Sequence, residues 1–571
     1  METFLVIAVL ALVVIAAASA LAPKIGVANP LLLVIFGIVV SLVSVVPDVH
    51  IEPEWILAGV LPPLLYSASV SMPTMDFRRE FTAIGGLSVV LVVGSAVVLG
   101  LFFSWVIPGL SLAWGIALGA IISPTDAVAT SIVKRIGVSS RVVTMLEGES
   151  LLNDATALVL LRSAVAGAAA SVSLWSVVGS FAYSVAIASV IGVFVGWANL
   201  AVRSRVEDPT VNTVISFTIP FIASVPAEML GASGLVAAVV AGLVTGRGAI
   251  KRLSPSHRIA EEQNWKTIEL VLEGVVFLLM GLELKAIVAH SIAEDHGFSP
   301  LLYALGALAI TLLVRMAYVG VLLLASRRRT ERHRDMRPRL DAAQKRLDEH
   351  TADPAAFLGG PGAAAQRRGP GRGRGSDVQR GQQGPQPRGP RGARTLERFN
   401  ARLRRMGADI DYFMSKPFGW REGSVVVWAG MRGAVTLAAA QTLPADTPHR
   451  SMLILVAFIV AVGSLLLQGG SLGWVVRRVK PSVESPVEQI AERRRMLTLL
   501  SEVADAVPES TEEGAARPSR ALAVIEAQRA ALLDARNDGT YSADALTNAL
   551  AVLDADQIRL EMRGEASDAH E

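Results

Sequence analysis

No cysteine occurs in the 571 residues. That excludes a disulfide, a thiolate zinc cage, an iron–sulfur cluster and a cysteine nucleophile. Charge is scarce too: Asp, Glu, Lys and Arg together make up 18%, against about a quarter in an average soluble chain. Aromatic residues are only 6%. No Gly-x-x-x-x-Gly-Lys phosphate loop is present, so nothing points to ATP. The 8 histidines show no metal-ligand spacing. What is plentiful is apolar: 52% hydrophobic residues and a mean hydropathy of +0.48. This excludes an ordinary soluble enzyme and a disordered protein alike. Ala, Val, Leu and Gly fill the apolar runs, and small residues at that density suit helices packed closely in lipid.

Runs of roughly 17–25 apolar residues mark spanning helices, and about 13 can be read. The first, Thr3–Leu21, lacks a basic flank before it and reads as a span, not a leader. The fifth and sixth are Leu112–Val133 and Met145–Ala170, the tenth Trp265–Ala289 and the eleventh Leu301–Ala325. The last two are Gly423–Leu443 and Ser451–Val476. Connections alternate between a basic set (Lys24, Arg78, Arg79, Lys134, Arg135, Arg203, Arg247, Lys251, Arg252) and an acidic set (Asp48, Glu52, Glu54, Glu294, Asp295, Asp446). Basic loops stay in the cytoplasm, which puts the N-terminus outside, the C-terminus inside and the protein in the cell membrane as a multi-pass chain. The expected division is a membrane domain over 1–325 and 422–479, a basic cytoplasmic insert over 326–421 and an acidic helical tail over 480–571. The insert carries a net charge of roughly +13 and is Arg-, Gly- and Pro-rich, as a solvated linker would be. In the tail, Asn537-Asp538-Gly539 separates two helical patterns.

A charge near the bilayer centre costs roughly 3 kcal/mol or more, so those that persist inside apolar runs are informative. Asp126 lies in Ser123-Pro124-Thr125-Asp126. Glu147, Glu149, Asn153 and Asp154 lie in the sixth run, Glu273 and Glu283 in the tenth, and Arg432 between Gly430 and Gly433 in the twelfth. Glu149 and Asn153 are four apart, as are Ser150 and Asp154, so adjoining faces of one helix carry two carboxylates, an amide and a hydroxyl. Oxygen ligands of this kind suit a monovalent cation. A carboxylate in a low-dielectric cavity also accepts a proton near neutral pH, and competition of the two for one group is sufficient for exchange. Pro124 removes an amide donor and predicts an unwound fifth helix, with Asp126 capping its second half. Gly430 and Gly433 predict a second break in the twelfth. Unwound helices near the midplane are how secondary transporters build cation sites. Glu283 and Lys285, near the outer end of the tenth run, read as interface charges.

The strings Ser-Pro-Thr-Asp-Ala-Val, Glu-Gly-Glu-Ser-Leu-Leu-Asn-Asp and Gly-Met-Arg-Gly-Ala-Val together resemble the cation:proton antiporters of the NhaP/NHE type. The resemblance implies an all-α membrane protein with two inverted six-helix repeats, discontinuous crossing helices and a homodimer. It implies Asp154 as the main ion- and proton-binding carboxylate, with Glu149, Ser150 and the Thr125 carbonyl as further Na⁺ ligands. Asp126 would act through water or by orienting the site, and Asn153 would tie the unwound fifth helix to the sixth. Arg432 would neutralise a buried acid, Glu149 or Glu147. The chain departs from the family pattern at its long basic insert and at Glu273, an acid expected to tune ion choice. Asn153 beside Asp154, instead of a second Asp, implies electroneutral exchange of Na⁺ (or Li⁺) for H⁺. The expected partners are monovalent cations, protons and membrane lipids, with no organic cofactor and no nucleic acid. A K⁺/H⁺ antiporter is the alternative of the same fold. A cation channel, or a non-transporting scaffold whose insert binds RNA or lipid, are the rivals of another class.

Overall fold

The computed structural model describes residues 2–43, 52–169, 174–293, 299–352, 390–483, 486–508 and 516–568. Among them the architecture is all-helical, apart from one isolated bridge between Val138 and Val483. The first helices are α1 (Glu2–Ile25), α2 (Asn29–Ser41), α3 (Leu61–Ser71), α4 (Thr74–Gly85) and α5 (Leu91–Val106). Next come α6 (Leu112–Ile122), α7 (Val128–Ile136), α8 (Ser140–Ala169), α9 (Leu174–Arg203), α10 (Pro209–Met229) and α11 (Gly234–Arg252). Then follow α12 (Pro255–Leu282), α13 (Leu284–Ala293), α14 (Ser299–Ala352) and α15 (Pro390–Ser415). The last are α16 (Trp420–Trp428), α17 (Ala434–Gln441), α18 (Arg450–Ser464), α19 (Gly470–Val479), α20 (Pro486–Asp505), α21 (Ala516–Asp538) and α22 (Ala543–Asp568).

Every apolar run of the sequence falls on one of these helices or on a consecutive pair. Among the described residues, 8 helices are long and apolar enough to cross a membrane unbroken. The fifth run is split into α6 and α7 and the twelfth into α16 and α17. Ser111 opens α6 by accepting a hydrogen bond from the Trp114 amide, and Gly137, in the left-handed region at φ +80°, ends α7. α6 presses against α5 so closely that a Cβ on Gly119 would meet the Ala96 carbonyl. Small residues thus set the spacing of the helices that frame the break.

The chain forms two compact units. The larger comprises Met1–Leu324, Phe418–Ala491 and Ala551–Glu571; the smaller comprises Ala325–Pro417 and Glu492–Leu550. The smaller one therefore draws on both the basic insert and the acidic tail, which the sequence reading treats as separate segments. Within it Arg337 pairs with Asp411 at 2.9 Å, and Glu492 accepts from the amide and hydroxyl of Ser542 at 2.6 and 2.9 Å. The insert is also more helical than its composition suggests: α14 runs on to Ala352 and α15 begins at Pro390. The stretch of α14 beyond Ser326 is charged on nearly every face and shows no apolar stripe, whereas α15 carries one at Leu396, Phe399, Leu403, Met406 and Ile410 that the basic composition of the insert obscures. The Arg/Gly/Pro-rich centre, 353–389, lies outside the described residues. In the tail, Gly539 takes φ +73° and separates α21 from α22, where the sequence places the break.

Candidate functional site

The two broken helices meet. Between α6 and α7 the chain is non-helical from Pro124 to Asp126, and between α16 and α17 from Gly430 to Gly433. The Asp126 amide donates to the Met431 carbonyl at 2.8 Å. In return, Arg432 Nε donates to the Ile122 carbonyl at 3.0 Å. Each break thus supplies a partner for a backbone group that the other has stripped of its helical bond. The approach is close enough that a Cβ on Gly433 would collide with the Asp126 carboxylate, which makes glycine the only residue that fits there. Asp126 Oδ1 also accepts from the Val128 amide at 3.0 Å and so caps α7. On one side of the crossing α6 packs against α17; on the other, α7 and α16 both pack against α19.

α8 runs past this crossing and presents the sixth run's polar residues. Asn153 Nδ2 donates to the Thr125 carbonyl at 3.0 Å and to the Thr125 hydroxyl at 2.8 Å. The Thr125 hydroxyl in turn donates to Glu149 Oε1 at 2.9 Å. The unwound segment of the fifth run is thereby tied to α8 through the carbonyl and the hydroxyl of Thr125. Ser150 is half-buried beside Glu149. Asp154 is buried, and no hydrogen bond or ion pair from any described residue reaches its carboxylate. Its electrostatic neighbour is another acid, Asp126.

Glu149 is differently placed. Arg315, from the middle of the eleventh run on α14, grips it with both guanidinium nitrogens, Nη1 to Oε1 at 2.5 Å and Nη2 to Oε2 at 2.8 Å. Arg315 Nε donates to the Val426 carbonyl on α16 at 2.9 Å. Both partners are about 2% exposed. The direct ion pair of Glu149 is with Arg315 and not with Arg432, which stays among its electrostatic neighbours. The Arg432 guanidinium goes to the backbone carbonyls of Ile122 and Gly430, and its amide to the Ser464 hydroxyl. Glu147 faces Lys134 at 3.6 Å instead. Arg432 is held as a splint across the two unwound segments, where orphan carbonyls are what a cation can satisfy. With both oxygens of Glu149 engaged by Arg315 and one also by Thr125, little of that carboxylate remains to ligate an ion. Asp154 keeps its full donor capacity.

Arg315 is the functional residue that the sequence reading missed. A signal existed: a lone arginine at the centre of Leu301–Ala325 is costly unless an acid meets it. Glu273 lies on α12 with the electrostatic neighbours Asp126 and Glu269. It therefore joins the acidic surroundings of the crossing without touching Asp154. Glu283 departs from its reading as an interface charge. It is buried, at 4% exposure, and accepts a hydrogen bond from Gln441 Nε2 at 2.7 Å.

One buried carboxylate without a counter-ion, beside an unwound carbonyl, a hydroxyl and an amide, can take up either a proton or a small cation. Sequence comparison identifies the family and structure comparison the fold. Residues 8–341 and 406–478 match the sodium/hydrogen exchanger transmembrane family. The chain is 34% identical over 272 residues to the uncharacterized Na⁺/H⁺ exchanger YjcE of Escherichia coli, 46% of this chain and 50% of that one. It is 29% identical over 328 residues to a sodium, potassium, lithium and rubidium/H⁺ antiporter of Bacillus pumilus, covering 55% of this chain and 48% of the relative. Each of these alignments spans about half of the relative's length. The sodium proton antiporter MjNhaP1 of Methanocaldococcus jannaschii has a similar fold, with a TM-score of 0.56 at 15% identity over 84% of this chain and 99% of that one.

Proposed function

Because this chain belongs to the sodium/hydrogen exchanger family, we propose that it is a secondary antiporter that moves Na⁺ out of the cell against H⁺ by alternating access. The observation that carries the reading is Asp154, a buried acid that no basic or hydrogen-bonding side chain satisfies. A carboxylate left so in a low-dielectric site is stable either protonated or paired with a cation, and those two states are the two loaded forms of an exchanger. The Thr125 carbonyl and the Ser150 hydroxyl complete a set of hard oxygen ligands around it. Asp126 orients the unwound segment through its cap on α7. Glu149 contributes by holding Thr125 in place and less by direct ligation. Arg315 then serves as its counter-charge, so that of the two carboxylates only Asp154 is left without one.

With one such acid beside Asn153, one cation exchanges for one proton and transport is electroneutral. The basic loops place the end carrying Lys134 and Arg135 in the cytoplasm, together with both the insert and the C-terminus, and put the N-terminus outside. An inverted-repeat relation of the first and last six spans would give the two breaks corresponding positions, in keeping with their meeting at one crossing. The working form is a homodimer in the cell membrane, in contact with its lipids. K⁺ is the second reading for the cation, favoured by the B. pumilus relative, whose name includes potassium.

A pH dye in everted vesicles tests this directly. Addition of Na⁺ is expected to dissipate an imposed acid interior, and K⁺ to do so less. Absence of a response to any monovalent cation would sink the proposal, and a stronger response to K⁺ would move it to the second reading. A rate that shifts with a clamped membrane potential would overturn electroneutrality.

A further inference from the structure

The side of the crossing formed by α6 and α17 holds an acid that the scheme above does not use. α17 starts against the Asp126 carboxylate at Gly433 and ends at Gln441, whose amide holds Glu283 at the junction of α12 and α13. A helix of this length covers about 12 Å, so Glu283 stands about one half-helix away from the Asp126 carboxylate, which lies on the unwound segment that also supplies Thr125. It is buried, and among the described residues Gln441 is the only side chain that bonds to it; no Lys or Arg pairs with it.

Two further oxygens lie along the same stretch. Thr436 Oγ1, in the first turn of α17, and Gln441 Oε1, at its end, are buried and find no hydrogen-bond partner. The rest of α17 is Ala, Val and Leu, a segment that would pack as well with no polar atom at all. Buried oxygens are paired in nearly all folded proteins, so orphaned ones call for an explanation. Here they mark the two ends of the helix that runs from Asp126 to Glu283. All are acceptors, and what acceptors in series accommodate is a cation or a proton.

We propose that Glu283 is the exit carboxylate on the outer side of the membrane, that the cation leaving Asp154 passes along α17 to reach it, and that the hydrogen bond from Gln441 closes this mouth in the conformation described. The inference rests on the exchange reading above. It differs from a purely structural tie between α12 and α17 in requiring the charge of Glu283, not merely its hydrogen bond.

Glu283→Gln separates the two, because the amide still accepts from Gln441. In right-side-out vesicles the half-saturating Na⁺ at the outer face is expected to rise about five- to tenfold, while the cytoplasmic value, read in everted vesicles, changes less than about twofold. An unchanged outer value in an active protein, or an equal rise on both faces, would overturn the proposal. Because the chain has no cysteine, Gln441→Cys installs a single thiol and serves as the second test. An impermeant thiol reagent is expected to modify it from outside only, and more slowly in saturating Na⁺. Labelling from the cytoplasmic side, or none from either side, would count against the exit. If the wild-type protein exchanges no cation, the function proposal fails, and the labelling pattern still reports on the mouth itself.

Discussion

Two of the buried polar clusters in the larger unit are built on opposite plans. At one end of α12, Arg203 grips Glu261 with both terminal nitrogens at 2.9 and 2.7 Å and gives its Nε to Asn212 Oδ1 at 2.6 Å. Asn212 returns a hydrogen bond to the Arg203 carbonyl, and its amide also meets His257 Nδ1. Every charge there has a counter-charge and every donor a taker. At the crossing, Arg315 and Glu149 form a pair of the same geometry, yet Asp154, five residues on, has nothing. A saturated network fixes helices in place and has no capacity left for a ligand. An unsaturated one costs stability and is retained where a transient partner completes it. The presence of buried charge therefore does not distinguish the site; the mismatch in its pairing does.

The sharpest way to break this contrast is Asp154→Asn. It preserves shape and removes the charge that is expected to bind the cation, so exchange should fall to background, a loss of at least about a hundredfold on the scale of removing an essential group. Thermal stability should hold or rise, because the uncompensated acid is gone. Persistent exchange by a well-folded variant would return the role to Asp126 or Glu149.

Next in size are Arg315→Ala and Arg203→Ala. Each strands a buried carboxylate, at a cost of about 3–5 kcal/mol, and both should lower the melting temperature in detergent. Their transport should differ: the Arg203 variant that does fold should exchange near the wild-type rate per molecule, and the Arg315 variant should not. Equal loss in both would erase the distinction between the clusters. Gly433→Ala tests the contact between the two breaks. Its methyl must displace the Asp126 carboxylate, an overpacking worth roughly 1–3 kcal/mol, and a drop in rate with little change in half-saturating Na⁺ would show that the crossing, not the ligand set, has been disturbed.

The smallest effect is expected outside the membrane at Asp208, which caps α10. Hydrogen bonds from the Val211 and Thr210 amides hold its carboxyl below the ordinary aspartate range. A folded-state pKa lowered in this way contributes stability above the unfolded value and loses it as pH falls through the folded one. Asp208→Asn should accordingly melt slightly earlier than wild type at neutral pH, and the gap should close in acid. A gap that widens on acidification would contradict the cap.

Local chemistry made much of this readable from the residues alone. Pro124 announces the first break and the Gly430–Gly433 pair the second, because each acts on its own backbone. The spacing of Glu149, Ser150, Asn153 and Asp154 likewise needs only helical periodicity. What was not legible is pairing across the chain. Arg315 and Glu149 are separated by 166 positions, and a motif-borne arginine, Arg432, stood nearer to hand as a partner. Glu283 was misplaced for a related reason. Its depth depends on Gln441, 158 residues away, and no run of apolar residues around Glu283 discloses it. The helix at 326–352 escaped because it is too evenly charged to show a face, and the one at 390–415 because the basic composition around it obscures its apolar stripe, Leu396, Phe399, Leu403, Met406 and Ile410.

The reciprocal bonds between the breaks also have a mechanical meaning. Asp126 to Met431 and Arg432 to Ile122 run in opposite directions between the same two strands of backbone, so the joint resists both shear and twist, as two rivets do where one would act as a pivot. Asn153 fastens α8 to the same joint through Thr125. On the exchange reading, a displacement that exposes Asp154 to one solution and then to the other is expected to carry α6, α7, α8, α16 and α17 together with α14, which Arg315 binds to α8 and α16, and the sliding surface is to be sought at the outer boundary of that group.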